Sequence, residues 1–218
     1  MSEARLRLHP WAQRARHVLG AIGWVARLQW FVKNVAEVSA ANHEPSLPPG
    51  VSIRSGSPDD AGALAPLIRG RESLAWRFTR GDIVLVAERE GEIIGCTWLT
   101  CLPIRPSYFP ILVRPEPGEW YNYGLALLRE HRLRGLGRAL SRMAMREVKR
   151  RGGHRVFGHA SRFNRIAAAS HAAAGYVTVE ELISLTLFDR VALLLYRRRR
   201  AIPMPPAPVS VEAPNQHA

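Results

Sequence analysis

The octapeptide Arg132-Leu133-Arg134-Gly135-Leu136-Gly137-Arg138-Ala139 constrains this chain most. The residues before it, 120–128, read as a strand, and those after it have the apolar spacing of an amphipathic helix. A strand, a tight glycine turn and a helix start together make an anion site. The first amides of a helix have no partner within the helix, and the helix dipole adds partial positive charge there. Gly135 and Gly137 carry no Cβ, so a phosphate can come close to the backbone. Arg132, Arg134 and Arg138 surround the turn with guanidinium groups suited to phosphate oxygens. The simplest ligand is a diphosphate-bearing cofactor. It is not a P-loop, because no Gly-Lys-Ser/Thr closes the run. Nor is it a dinucleotide fingerprint, because Leu140 stands where the third glycine is needed.

The rest of the chain sets that turn in one domain with extensions, the natural organisation for 218 residues. Residues 51–54 read as a short strand, and Ser57-Pro58-Asp59-Asp60 as the start of a helix running to about Gly70. Residues 82–88 and 92–102 read as a hairpin closed by Arg89-Glu90-Gly91. A proline-rich stretch, 103–117, leads to the strand before the glycine turn. The helix from Leu136 ends at Gly152-Gly153, and a strand follows over 154–160. Asn164 is placed to cap a helix reaching Ala174, with Gly175 ending it. Strands over 176–180 and 182–188 complete a mixed sheet.

At the N-terminus, apolar residues recur at helical spacing over 10–38, from Trp11 through Val18 and Ile22 to Val35. Arg14, Arg16, Arg27 and Lys33 make the run too charged for a membrane span. The expectation is an amphipathic helical extension over 1–44 and a linker over 45–50. That helix suits packing on the domain, homodimerisation or peripheral contact with a membrane surface. Residues 190–218 are expected to be a basic, proline-rich tail. Net charge is +13, nearly all from arginine, and favours anionic partners. Cys96 and Cys101 are too far apart along one strand to bridge each other. With no cysteine framework and no cleavable signal pattern, the expected location is the cytoplasm. No His, Cys or carboxylate spacing suggests a metal site.

The glycine turn resembles the phosphate-loop motif of the GNAT N-acetyltransferase superfamily: Arg or Gln, two residues, Gly, one residue, Gly or Ala. Arg132, Gly135 and Gly137 fill those places. Leu127-Leu128-Arg129-Glu130-His131 is similar to the strand end that leads into that loop, departing at Arg129, where the family often has Pro. Asn164-Arg165-Ile166-Ala167 and His171-Ala172-Ala173-Ala174-Gly175-Tyr176 are similar to the second cofactor motif of that superfamily. The order of elements over 51–188 agrees, about two-thirds of the chain. The implied fold is a central mixed, mostly antiparallel sheet flanked by helices, here with the added N-terminal helix.

The resemblance implies acetyl transfer from acetyl-CoA to a primary amine by direct attack in a ternary complex. Holding amine and thioester together supplies up to roughly 7–11 kcal/mol in favourable cases. It implies a diphosphate on Arg132, Arg134, Gly135, Leu136, Gly137, Arg138 and Ala139. It implies a pantetheine paired with the strand end at Leu127, Leu128 and Arg129, with Asn164 bonding its arm. An exposed amide near Leu128 would polarise the thioester carbonyl. His171 stands where the superfamily often has the Tyr that protonates the leaving thiolate. Some relatives carry a base on the strand before the loop. The aligned residue here is Tyr121, with Glu119 on the same face.

Two other readings fit the same residues. The donor could be a long-chain acyl-CoA or an acyl carrier protein. Alternatively, the chain could be a non-catalytic basic protein that docks on nucleic acid or anionic membrane, although it carries no recognised nucleic-acid motif. The acceptor would be read by 64–80 and 103–117, where Arg69, Arg71, Trp76, Arg77 and Tyr108 suit an acidic or aromatic group.

Overall fold

The computed structural model describes residues 23–35, 47–68, 73–105, 112–132, 135–187 and 191–199, with side chains at all of these except 23–27, 184–187 and 191–199. Among the described residues, eight strands form one sheet: β1 (Gly23–Asn34), β2 (Val51–Ser55), β3 (Ile83–Arg89), β4 (Glu92–Thr100), β5 (Glu119–Leu127), β6 (Arg155–Ser161), β7 (Val177–Leu187) and β8 (Val191–Arg199). Their order across the sheet is β2-β3-β4-β5-β6-β1-β7-β8. Only β5 and β6 run parallel; every other neighbouring pair is antiparallel. The helices are α1 (Ala61–Leu64), flanked by 3-10 turns, then α2 (Leu74–Thr79), α3 (Leu136–Arg150) and α4 (Arg165–Ala173). A mixed, mostly antiparallel sheet flanked by helices is the architecture the sequence implied.

Alternation along the strands divides the core in two. Trp30, Trp98, Tyr121 and Tyr123 lie on one face with Leu64 and Leu67 from the α1 region. Phe31, Ile94, Leu99 and Val156 lie on the other with Leu136, Leu140 and Met145 from α3 and Tyr176. The first face is called A below, and the second B.

The N-terminal expectation is corrected over part of its length. Residues 23–34 form β1, a strand between β6 and β7 in the interior of the sheet, not part of a helix. Both faces of such a strand are covered, so its apolar run loses the alternation that distinguishes a strand from a buried helix. Trp24, Val25, Trp30, Phe31 and Val32 are aromatic or β-branched and favour the pleated form. The rest of the expected helix, 1–22 and 36–44, lies outside the described residues. The C-terminal expectation also changes: Val191–Arg199 is not tail but β8, paired with β7. The two strands expected over 176–188 are one, Val177–Leu187.

Candidate functional site

The site begins where the two halves of the sheet part. β5 and β6 pair only at Glu119↔Arg155, Trp120↔Val156 and Tyr121↔Phe157. Beyond that point each strand follows its other neighbour. β6 stays paired with β1 as far as Ser161, and β5 with β4 as far as Leu127. A bulge helps β5 turn away. Gly124 and Leu125 together oppose Thr97, and Gly124 has φ +63°, a conformation glycine adopts without strain. From Asn122 to Leu127 the β6-facing edge of β5 has no ladder partner among the described residues.

The register shows which backbone groups that edge presents. The Leu128 amide donates to the Ile94 carbonyl at 2.9 Å, so an exposed amide near Leu128 comes from a neighbouring residue and not from Leu128 itself. Gly95↔Leu127 is therefore the non-hydrogen-bonded pair, and the amide and carbonyl of Leu127 point into the opening. Arg132 Nε donates to that Leu127 carbonyl at 3.1 Å, tying the glycine turn to the strand end.

The opening leads to the start of α3. Gly135 caps that helix at φ +80°, and its carbonyl takes the first intrahelical bond, from Ala139. A Cβ on Gly137 would sit 3.7 Å from Leu127 and 3.8 Å from Leu125, so the bare backbone of α3 faces the end of β5. Arg129, Arg132 and Arg138 are exposed around it, Leu136 and Ala139 are buried beneath, and Arg134 lies outside the described residues. Asn164 caps α4 as expected, its Oδ1 accepting from the Ala167 amide at 3.0 Å. Gly175 (φ +79°) ends α4 with paired bonds, its amide to Ala172 and the Tyr176 amide to His171.

On face B, His171 leans from α4 onto β6. Its Cε1 would lie 3.4 Å from a Cβ on Gly158, whose own neighbour across the opening is the Asn122 carbonyl. The ring stacks on Phe31 with centroids 4.6 Å apart and meets Tyr176 edge-on at 5.0 Å. Burial among these rings pulls the His171 imidazole down to about 4, so it is neutral at pH 7.

On face A, at the point of divergence, Tyr121 is fully buried and its hydroxyl lies 2.6 Å from Nδ1 of His159 on β6. Tyr123 stacks on Tyr121, and Trp30 lies against both Tyr121 and His159. Burial, and then His171 on the opposite face, draws His159 down to about 4. Deeper in the same face, the Tyr123 hydroxyl donates to Asp82 Oδ2 at 2.6 Å, and Arg80 pairs with Asp82 Oδ1 at 3.4 Å. Burial first, then the Asp82 carboxylate, pushes the Tyr123 hydroxyl well above the usual phenol range. Arg77 is buried with its guanidinium 5.1 Å from the rings of both Trp98 and Tyr123.

Glu119 is engaged in an ion pair with Arg155. It is 4% exposed, at the paired end of β5 and β6. Oε1 accepts from Arg155 at 2.7 Å and Oε2 from the Glu116 amide at 3.0 Å, so both oxygens clasp the strand starts together. Of the expected acceptor-reading residues, Trp76 is exposed on α2, while Arg69, Arg71 and Tyr108 lie outside the described residues.

The model of the Acetyltransferase (GNAT) family matches residues 57–176, more than half of the chain. The chain belongs to the GNAT acetyltransferase family. The matched segment runs from the turn before α1 through the divergence of β5 and β6 to the end of α4. A mycothiol acetyltransferase of Cellulomonas flavigena is 28% identical over 195 residues, covering 78% of this chain and 54% of its own length. The chain thus spans about half of that curated relative. Among solved structures, a GNAT-family acetyltransferase of Novosphingobium aromaticivorans superposes with a TM-score of 0.54. It is 19% identical and covers 75% of this chain and 64% of its own. A tandem GNAT protein from the clavulanic acid biosynthesis pathway gives 0.57 at 16% identity, covering 86% and 61%. At these identities the two structures support the fold. GNAT proteins generally take acetyl-CoA as co-substrate and an amine as acceptor. No helix among the described residues is long and apolar enough to cross a membrane.

The geometry brings together Leu127, Gly135, Leu136, Gly137 and Arg132 at one end of the opening, with His171 and Tyr121 on opposite faces at the other. It separates Glu119 from them. It adds His159, which the sequence reading passed over as one residue of an ordinary alternating strand.

Proposed function

We propose that this GNAT protein is an acetyl-CoA-dependent N-acetyltransferase acting by direct attack of a primary amine in a ternary complex. The observation that carries the reading is the unpaired edge of β5, which runs from the site of divergence to the bare N-terminus of α3. A pantetheine arm is an extended amide chain and would add to that edge as a strand adds to a sheet. The Leu127 amide, next to Leu128, is the donor aimed into the opening. It supports a role as the group that polarises the thioester carbonyl. The diphosphate would sit on the Leu136, Gly137 and Arg138 amides with Arg132 and Arg138 beside it. The mycothiol acetyltransferase relative favours acetyl as the acyl group.

In the step itself, the amine nitrogen forms a C–N bond to the thioester carbon and the C–S bond breaks. The nitrogen loses one proton and the thiolate of CoA gains one. His171 is neutral at pH 7, so it meets the developing thiolate as a hydrogen-bond donor while solvent restores the sulfur proton.

Calorimetry with acetyl-CoA tests this, comparing the wild type with Gly137→Glu. Gly137 is the better choice than Gly135, because its Cβ would make only ordinary contacts and its backbone is helical, whereas Gly135 sits at φ +80°. Glutamate there also has higher helix propensity than glycine. The variant should fold and bind acetyl-CoA more weakly by about tenfold or more, roughly 1.4 kcal/mol, as like charges meet. Equal affinity in both proteins would put the phosphates elsewhere, and no binding by the folded wild type would overturn the reading.

A further inference from the structure

Gly158 leaves an atom-sized space on face B of β6, where β5 and β6 part. A Cβ built there would lie 3.4 Å from His171 Cε1 and 3.9 Å from the Asn122 carbonyl. Among the described residues no other atom, its chain neighbours aside, comes within 4 Å. His171 borders this space from α4, and Asn122 borders it from β5. Asn122 lies between Tyr121 and Tyr123, whose rings are on face A, so the alternation puts its side chain on face B with His171. Both side chains are partly exposed.

The Asn122 amide is oriented from behind. Thr97 of β4, fully buried, donates its hydroxyl to Asn122 Oδ1 at 2.8 Å. That bond turns the oxygen end of the amide toward β4. It leaves both Nδ2 hydrogens without a partner among the described residues. His171 has ring contacts with Phe31 and Tyr176, but its nitrogens make no hydrogen bond among the described residues. Two polar side chains with donors to spare thus border one small space beside the bare edge of β5.

Resting on the acetyltransferase reading above, we infer that the space over Gly158 receives the sulfur of CoA, that Asn122 donates to it through Nδ2, and that Thr97 is the positioning residue that orients Asn122. As the C–S bond breaks, its electron pair stays on sulfur, and the Nδ2–H of Asn122 joins the N–H of His171 in solvating the thiolate. Neither donor gives up its proton, and solvent supplies the one that completes the thiol. The demand for donors is greatest when the sulfur is anionic, so the pair favours the leaving thiolate over the neutral thioester.

Calorimetry with CoA and with acetyl-CoA, at pH 7 and at pH 9, tests this without an acceptor. A free thiol titrates at about 8.5, so CoA is mostly thiol at the lower pH and mostly thiolate at the higher. Acetyl-CoA has no thiol and controls for every other titration. The titratable groups beside the space, His171 and Tyr176, keep their charge over this range, because burial holds the imidazole down and the phenol up. In the wild type, CoA should gain about tenfold over acetyl-CoA between the two pH values, the size of a hydrogen bond to a charged group. Thr97→Val combined with Asn122→Leu removes both halves of the buried bond and keeps the shapes, so that variant should fold and bind acetyl-CoA within about twofold of wild type. It should lose most of the gain. Thr97→Ser keeps the hydroxyl and should keep the gain, and losing it there would overturn the positioning role of Thr97. An equal gain in the double variant, or none in the wild type, would overturn the inference while leaving the acetyl-CoA reading intact. Failure of the folded wild type to bind acetyl-CoA would overturn that reading and this inference with it.

Discussion

His159 and His171 flank the point where β5 and β6 part, each drawn down from 6.5 to about 4, so the fold should weaken steeply in mild acid. The sign follows from proton counting. Between pH 6.5 and 4 the unfolded chain protonates both imidazoles and the folded chain does not, so unfolding takes up protons and stability falls with pH. The stability is therefore complete above about pH 6.5 and is lost as the pH drops toward 4. From pH 7 to pH 5 each imidazole is worth about 2 kcal/mol, or about 4 kcal/mol together. That is a large share of the roughly 5–15 kcal/mol that holds a typical domain. Asp60 and Glu147, each held near 2 by arginine partners, start from ordinary values of 3.8 and 4.5, so their losses come mainly below this window. Urea denaturation followed by tryptophan fluorescence at intervals from pH 7.5 to pH 5 gives the slope. Near pH 5.5 it should be about 2.4 kcal/mol per pH unit in the wild type and about half that in His171→Leu, which keeps an apolar side chain against Phe31 and Tyr176. A flat profile, or a slope that His171→Leu leaves unchanged, would refute the reasoning.

Glu119→Gln should behave as a broken buried ion pair. It should lose about 3–5 kcal/mol of stability, read by urea denaturation, because Arg155 is left without its charge partner. The fraction that stays folded should keep its kcat, and a loss of kcat without a loss of stability would make Glu119 the base after all. Phe31→Ala should cost about 3–5 kcal/mol, as expected for a buried ring on an interior strand and not for a peripheral helix. The same variant should let water reach His171 and raise its pKa from about 4 toward 6.5, followed by NMR titration.

The parts of this molecule that were legible in its sequence are those fixed by local backbone chemistry. Gly135 had to be glycine for a left-handed helix cap, and Asn164 and Gly175 open and close α4 as their residue types require. Glu90 and Gly91 both take positive φ in the hairpin between β3 and β4, as that turn demands. What escaped depends on partners distant in sequence. β1 reads as a helix because it lies between two strands and buries residues on both of its faces, Trp30 on one and Phe31 on the other. Glu119 looked like a base because nothing nearby in the chain announces Arg155, 36 residues on. His159 showed no signal of its own, since only the pairing of β5 with β6 brings it to the hydroxyl of Tyr121, 38 residues away. The amide that faces the opening could be assigned to Leu127 and not Leu128 only once the register with β4 was known.

The central claim is that acetyl-CoA occupies the divergence of β5 and β6, and a crystal structure of the chain grown with acetyl-CoA tests it most directly. The account predicts the pantetheine arm along β5 beside Leu127, the diphosphate on the first amides of α3, and the thioester beside His171. A ligand bound elsewhere, with the edge from Asn122 to Leu127 still bare, would contradict it.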